Sequence, residues 1–201
     1  MRIILAITGA SGVQYGLRLG EQLLAAGHTL TLLVSPAGFA VLKAEAGFDW
    51  SGTEQEVSTR LRAYFQVPEE RLRYYSEDNL LAPVASGSSA ADAMVVCPCS
   101  MGSLARIACG ISGNLLERSA DVMLKERRPL VLVPRETPLS EIHLENMLKL
   151  ARMGARIVPA MPAFYHAPET VTEMIDFVVG KVLESLGIGH RLYRPWNPEV
   201  R

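Results

Sequence analysis

The stretch Ile7-Thr8-Gly9-Ala10-Ser11-Gly12, "ITGASG", follows the apolar run from Arg2 to Ala6 and precedes "VQYGLRLGEQLLAAG". In that second segment Tyr15, Leu19, Leu23 and Leu24 fall near one helical face, and Gly27 ends the pattern. An apolar strand that runs through small residues into a helix is a strand-to-helix turn. Such a turn brings backbone N–H groups to the positive end of a helix, where a phosphate can approach Gly9, Ala10, Ser11 and Gly12 closely. The same four residues also suit a tight turn with no ligand. No Lys-Ser/Thr pair follows them, which excludes a Walker A loop. The spacing is G-x-x-G rather than G-x-G-x-x-G, and the next strand ends in Ser35 rather than a ribose-binding carboxylate. A dinucleotide of the NAD type is therefore disfavoured and a mononucleotide fits.

Further along, strand-like and helical segments alternate. Thr29–Val34, stopped by Ser35-Pro36, reads as a strand, as do Ala93–Cys97, Leu130–Val133 and Arg156–Val158. Met101–Cys109, Leu115–Arg127, Glu141–Met153 and Glu169–Leu186 read as helices. Strands separated by helices imply right-handed crossovers and a mostly parallel sheet covered on both faces. The expected fold is a doubly wound α/β domain, Rossmann or flavodoxin-like, spanning residues 1–188 as a single unit. The least regular stretch, Asp49–Asn79, is expected to carry a helix and an outer strand. A tail of residues 189–201, with Pro195 and Pro198, cannot be helical throughout.

Composition removes several function classes. A net charge of −1 over 201 residues gives no general attraction to nucleic acid or anionic lipid. No apolar run approaches the roughly 18 residues of a membrane span, and the N-terminus runs into the glycine loop without a secretory pattern, so a cytoplasmic protein is expected. The three cysteines, Cys97, Cys99 and Cys109, are odd in number and close together, which suits reduced thiols. No second Cys/His pair lies at zinc spacing from Cys97 and Cys99, so they are expected to be core thiols and no metal is expected.

A second small-residue loop strengthens the case for a ligand. "CPCSMGSLA", Cys97 to Ala105, again leads a strand into a helix, with Ser100, Gly102 and Ser103 at the turn. In an open α/β sheet, ligands sit outside the carboxyl ends of the strands. Three such ends carry small, polar or charged groups: Gly9–Ser11, Ser100–Ser103 and Arg135-Glu136. "ASGSSA", Ala85 to Ala90, adds a flexible polar loop. Arg127 and Arg128 suit the C-terminal end of a helix, while His143 and His166 read as surface or capping residues.

Taken together, "TGASG", "SGSSA", "CPCS", "ADVMLKERRPLVLVPRETP", "HLENMLKLARMGA" and "PAFYHAPET" resemble the flavin prenyltransferases of the UbiX type. The similarity runs from Arg2 to the last helix. It implies a flavodoxin-like fold, assembly as a dodecamer, and transfer of a dimethylallyl group from dimethylallyl phosphate to N5 and C6 of reduced FMN. The product, prenylated FMN, would serve a UbiD-type decarboxylase, in ubiquinone synthesis or aromatic acid breakdown, without a metal.

Carried onto this sequence, the resemblance implies FMN contacts at Gly9, Ala10, Ser11, Ser35, Ser100, Met101, Gly102, Ser103 and Arg135. It implies a donor-phosphate site at Tyr165 and Lys181, with charge from Arg118, Lys125 and Arg135. Glu45, Glu136 and Ser11 match proton-handling and substrate-orienting positions, and Trp196 matches a tail aromatic that helps close the site. Lys181 stands where many members have Arg, and Leu80 where some have Trp. The chemistry suits these types: cations and a hydroxyl belong where a phosphate leaves, and Glu136 is the first choice of base for the flavin C6 proton. The rival reading is an FMN-dependent cysteine decarboxylase of the same fold. Those enzymes need a catalytic His and a "PASANT"-like segment, where this chain has "PCSMGS". A non-catalytic FMN carrier would need fewer cations than cluster around Glu136.

Overall fold

All the strands lie in one sheet. The structure is a computed structural model that describes residues 1–196, so Pro198 and the end of the 189–201 tail lie outside it. Six parallel strands, β1 (Arg2–Ile7), β2 (Thr29–Val34), β3 (Leu72–Tyr74), β4 (Ala93–Cys99), β5 (Leu130–Pro134) and β6 (Arg156–Ile157), are ordered β3-β2-β1-β4-β5-β6. β1 pairs in parallel with β2 on one side and β4 on the other, so the winding direction reverses there. That switch point is where an open α/β sheet leaves a crevice outside its carboxyl edge.

Alternate residues of β1 serve opposite faces. Ile3, Leu5 and Ile7 pack with α1 (Val13–Ala25), α3 (Glu54–Phe65) and α7 (Val171–Ser185), through residues such as Leu19, Leu61 and Val178. Ile4 and Ala6 pack with α4 (Met101–Ala108), α5 (Leu115–Lys125) and α6 (Glu141–Arg152), through Leu104, Leu116 and Leu150. Burial on both faces explains why these strands read as unbroken apolar runs. The Asp49–Asn79 segment carries α3 and the outermost strand β3, as its irregular pattern suggested.

One helix was not legible. Pro36–Ala46 forms α2 directly after the Ser35-Pro36 pair that reads as a strand stop. Only Gly38 and Leu42 of it are buried, so no apolar stripe marks it. The start signal was present nonetheless: Ser35 accepts the Gly38 N–H at 3.1 Å and Pro36 opens the first turn.

Candidate active site

The carboxyl edge is built by tying loops to one another. Thr8, fully buried at the end of β1, donates its hydroxyl to the Pro98 carbonyl at 2.8 Å and accepts the Ser100 N–H at 2.7 Å. That one side chain fixes the glycine loop against the loop after β4. Arg135, leaving β5, donates Nε to the Ser11 carbonyl at 3.1 Å, so the third strand end reaches the same turn. Glu136 follows it, exposed, with a carboxylate oxygen accepting the Thr137 N–H at 3.1 Å.

α2 brings Glu45 to the glycine loop from the other side. One carboxylate oxygen accepts the N–H groups of Gly12 and Val13, at 2.8 and 3.3 Å, at the start of α1. Burial opposes ionisation of this carboxyl, yet hydrogen bonds from the Ser11 hydroxyl, Gly12 and Val13, with Arg135 nearby, hold it below its ordinary value. A protein carboxylate therefore already satisfies the positive end of α1. Of the four residues whose N–H groups the glycine loop seemed to offer to a phosphate, Gly12 is therefore taken, along with the N–H of Val13.

α4 is arranged differently. Ser100 caps it, accepting the Ser103 N–H at 3.2 Å and donating to the Ser103 hydroxyl at 3.0 Å. The N–H groups of Met101 and Gly102, in the first turn, have no hydrogen-bond partner among the described residues. A Cβ built on Gly102 would meet nothing nearer than Arg106 Nη1 at 3.9 Å, so open space faces it. Free donors, absent side-chain bulk and the Arg135 guanidinium beside Ser11 suit an anionic group such as a phosphate. Gly9 is small for another reason: a Cβ there would lie 2.4 Å from Ala37 Cβ, inside α2.

The second cluster sits on α7 and the chain that follows it. Tyr165 meets Phe177 and Trp196 edge to face, at 5.7 and 5.6 Å between ring centroids. Lys181 lies over the Phe177 and Tyr193 rings and pairs with Glu184 at 2.9 Å. Contact with the Tyr193 hydroxyl and Glu184 raises its pKa, so it is a permanent cation. His166 is half-buried and caps nothing. Its ring stacks on Phe177 at 5.3 Å, and both ring nitrogens are buried without a partner. His143 does cap: Nδ1 accepts the Ser140 N–H at 3.2 Å.

Ser11, Glu45 and Arg135 thus meet directly, while Tyr165, Lys181 and Trp196 form a separate group on the α7 side. The two groups are connected through α1 and α7: Arg18 grips Asp176 with two bonds, at 2.6 and 3.1 Å. Arg118 and Lys125 belong to neither group. Arg118 donates to the Ala85 carbonyl and pairs with Asp121 at 2.7 Å, and Lys125 pairs with Glu126 beside Gly87. Lys125 closes α5 about 15 Å of helix rise beyond Leu115, toward the amino edge from which β5 starts. Sequence reading missed Thr8, Arg18, Asp176 and Glu184. Only Thr8, between an apolar strand and the glycines, offered a signal. Cys97 and Cys99 are buried core thiols and Cys109 is exposed. The described residues contain no metal-binding cluster and no helix long and apolar enough to cross a membrane.

Residues 1–183 match the Flavoprotein family. A flavin prenyltransferase UbiX of Halalkalibacterium halodurans is 49% identical over 193 residues, covering 96% of this chain and 92% of its own. A crystal structure of a UbiX protein in complex with FMN and dimethylallyl pyrophosphate superposes with a TM-score of 0.87, at 40% identity, over 98% of this chain and 97% of the other. A dodecameric FMN-dependent UbiX-like decarboxylase from Escherichia coli O157:H7 superposes at 0.85, with 39% identity, over 98% of this chain and all of that one. An FMN-dependent cysteine decarboxylase shares the fold alone, at 16% identity and a TM-score of 0.57 over 78% of this chain.

Proposed function

The chain belongs to the UbiX-type flavin prenyltransferases of the Flavoprotein family, and from that membership we propose which residues carry out the transfer. The enzyme joins a dimethylallyl group to FMN. When bound, reduced FMN supplies the N5 and C6 positions that receive the group. Met101, Gly102 and Ser103 at the start of α4, with Ser35, Gly9–Ser11 and Arg135, hold the flavin. The observation that carries this placement is the open first turn of α4, where Gly102 leaves room and two N–H groups are free.

Tyr165 and Lys181 hold the phosphate of the donor, which we take to be dimethylallyl monophosphate. Charge-assisted bonds there stabilise the leaving group as negative charge grows on it. Glu136 receives the proton lost from flavin C6, and Glu45 with Ser11 keeps the glycine loop in register. Tyr165, Phe177 and Trp196 form an aromatic wall that excludes water from an allylic cation. Of the 189–201 tail, the described residues 189–196 close the site of the 1–188 domain through Trp196.

Arg118 and Lys125 make no contact with Tyr165 or Lys181 among the described residues and are held by Ala85, Asp121 and Glu126, so we assign them to the site of a neighbouring copy in a homo-oligomer, with the dodecamer as the form expected. Prenylated FMN passes to a UbiD-type decarboxylase. The buried free thiols and the need for reduced flavin agree with a cytoplasmic setting. Anaerobic incubation with reduced FMN and dimethylallyl mono- or diphosphate, followed by mass analysis of the extracted flavin, tests the reading. A dimethylallyl mass increment with the monophosphate supports it. No increment with either donor refutes it, and an increment with the diphosphate alone moves the donor assignment.

A further inference from the structure

Glu184 lies in the last turn of α7, three residues after Lys181, and both of its oxygens are engaged. Oε2 holds the Lys181 ammonium at 2.9 Å. Oε1 accepts the Tyr193 hydroxyl and lies 3.3 Å from Nε2 of His190. Those two partners belong to the segment after α7, the one that carries Trp196 to Tyr165. Gly180 completes the seat. A Cβ there would come within 2.5 Å of Tyr193 Cε1 and 2.6 Å of His190 Cε1, so only glycine lets the two rings lie on the helix. Tyr193 also packs on Phe177 at 4.8 Å, extending the aromatic wall. An i,i+3 ion pair on an exposed helix face is worth little by itself. This carboxylate differs because it joins a cation to a separate chain segment.

We propose that Glu184 is a positioning residue for the allyl donor, clasping the tail through Tyr193 and His190 with one oxygen while it aims Lys181 with the other. The proposal rests on the assignment of Lys181 and Tyr165 to the donor phosphate. Its consequence is that donor grip and tail closure are coupled through one side chain. Lysine suits this position: a mobile ammonium with three donors can keep Glu184 and still reach a phosphate, where a planar fork is more restrictive.

The test uses the full chain and three proteins: wild type, Glu184→Ala and Gly180→Ala. Two readouts are taken. One is brief trypsin digestion, with cleavage after Arg191 followed by intact mass. The other is prenylated-FMN formation against dimethylallyl phosphate concentration, with FMN affinity measured separately. Glu184→Ala frees the tail and the ammonium together. Cleavage after Arg191 accelerates, donor KM rises about tenfold, as for the loss of a charged hydrogen bond, and FMN affinity stays within about twofold. Gly180→Ala improves helix propensity and keeps the Lys181–Glu184 pair, yet its Cβ displaces the two rings. It too should speed cleavage and raise donor KM.

Wild-type donor KM and cleavage in Glu184→Ala overturn the inference. So does a freed tail in Gly180→Ala with an unchanged donor KM, and so does a parallel loss of FMN affinity and melting temperature, which marks a merely structural residue. A wild-type chain that makes no prenylated FMN refutes the functional reading instead, and the digestion still decides whether Glu184 clasps the tail.

Discussion

The Glu45 carboxylate sits 2.8 Å from the backbone nitrogen of Gly12, where α1 begins. An acid carried by α2 thereby caps the preceding helix, α1, and the turn that should cradle a phosphate is held at that end by the protein. The native pKa of Glu45 lies below its ordinary 4.5, so its contribution to stability is complete above that value and disappears as pH falls through the lower native one. Glu45→Gln should melt below wild type at pH 7, and the gap should close on acidification. A gap that stays constant from neutral to strongly acidic pH would show that the charge does not hold the turn.

Gly9 and Gly102 separate packing from ligand approach. Gly9→Ala must push against Ala37 at 2.4 Å, so the flavin-free protein should already lose stability. Gly102→Ala meets open space and should melt as wild type or slightly higher, because alanine favours a helix by up to about 1 kcal/mol over glycine. Its FMN affinity should nevertheless fall. Melts of the flavin-free proteins with FMN titrations check both. Wild-type FMN binding by Gly102→Ala would move the flavin away from α4.

What could be read from the chain depended on burial. β1, β4 and β5 are apolar on both faces, and each stands out as a run between breakers, while β2 alternates Thr29 and Thr31 with Leu30 and Leu32 before Leu33 and Val34. α2 buries too few residues to leave a periodic trace, yet it carries Glu45. The three polar strand ends were recognisable because small residues (Gly9–Ser11, Ser100–Ser103) or charges (Arg135-Glu136) follow apolar runs, and their convergence at one sheet edge weighs more than any one of them. Thr8 and Arg18 act through partners 92 and 158 residues away, and although the place of Thr8 before the glycines marks the residue, neither composition nor spacing announces such pairings; for Glu184 the spacing shows Lys181 but not Tyr193. His166 was misread for the same reason, since its stacking partner Phe177 is brought to it by folding alone.

Thr8→Val keeps volume and removes the hydroxyl that joins Pro98 to Ser100. The Ser100 N–H loses its partner, at a cost of about 1–3 kcal/mol for an unsatisfied buried group. Denaturant unfolding should show that loss, and FMN affinity should drop because the loop after β4 is no longer tied to the glycine loop. Wild-type stability would mean that another acceptor takes the N–H.

Arg18 and Asp176 connect the glycine-loop helix to the Lys181 helix. The Asp176 side chain is only 12% exposed, so Arg18→Ala leaves a nearly buried carboxylate unpaired, costing about 3 kcal/mol. Arg18→Lys keeps the charge but makes a single bond where the fork makes two, and should fall between. Chemical denaturation ranks the three proteins. Equal stability of Arg18→Ala and wild type would show that the α1–α7 contact is held by apolar packing alone.

Glu136 decides where the proton goes. It follows β5 directly, exposed at the carboxyl edge, with one carboxylate oxygen on the Thr137 N–H and its neighbour Arg135 on Ser11. Ring closure at flavin C6 cannot persist until that carbon gives up its proton, whereas flavin binding needs no base. Glu136→Gln retains size and the Thr137 contact but removes basicity. Prenylated-FMN formation should fall roughly 10²–10⁴-fold, the usual cost of losing a general base, while FMN affinity holds. Anaerobic rate measurements with mass analysis, beside FMN titration, separate the two effects. A variant that forms product at the normal rate moves the base elsewhere, with Glu45 next in line, and a variant that no longer binds FMN makes Glu136 a binding residue.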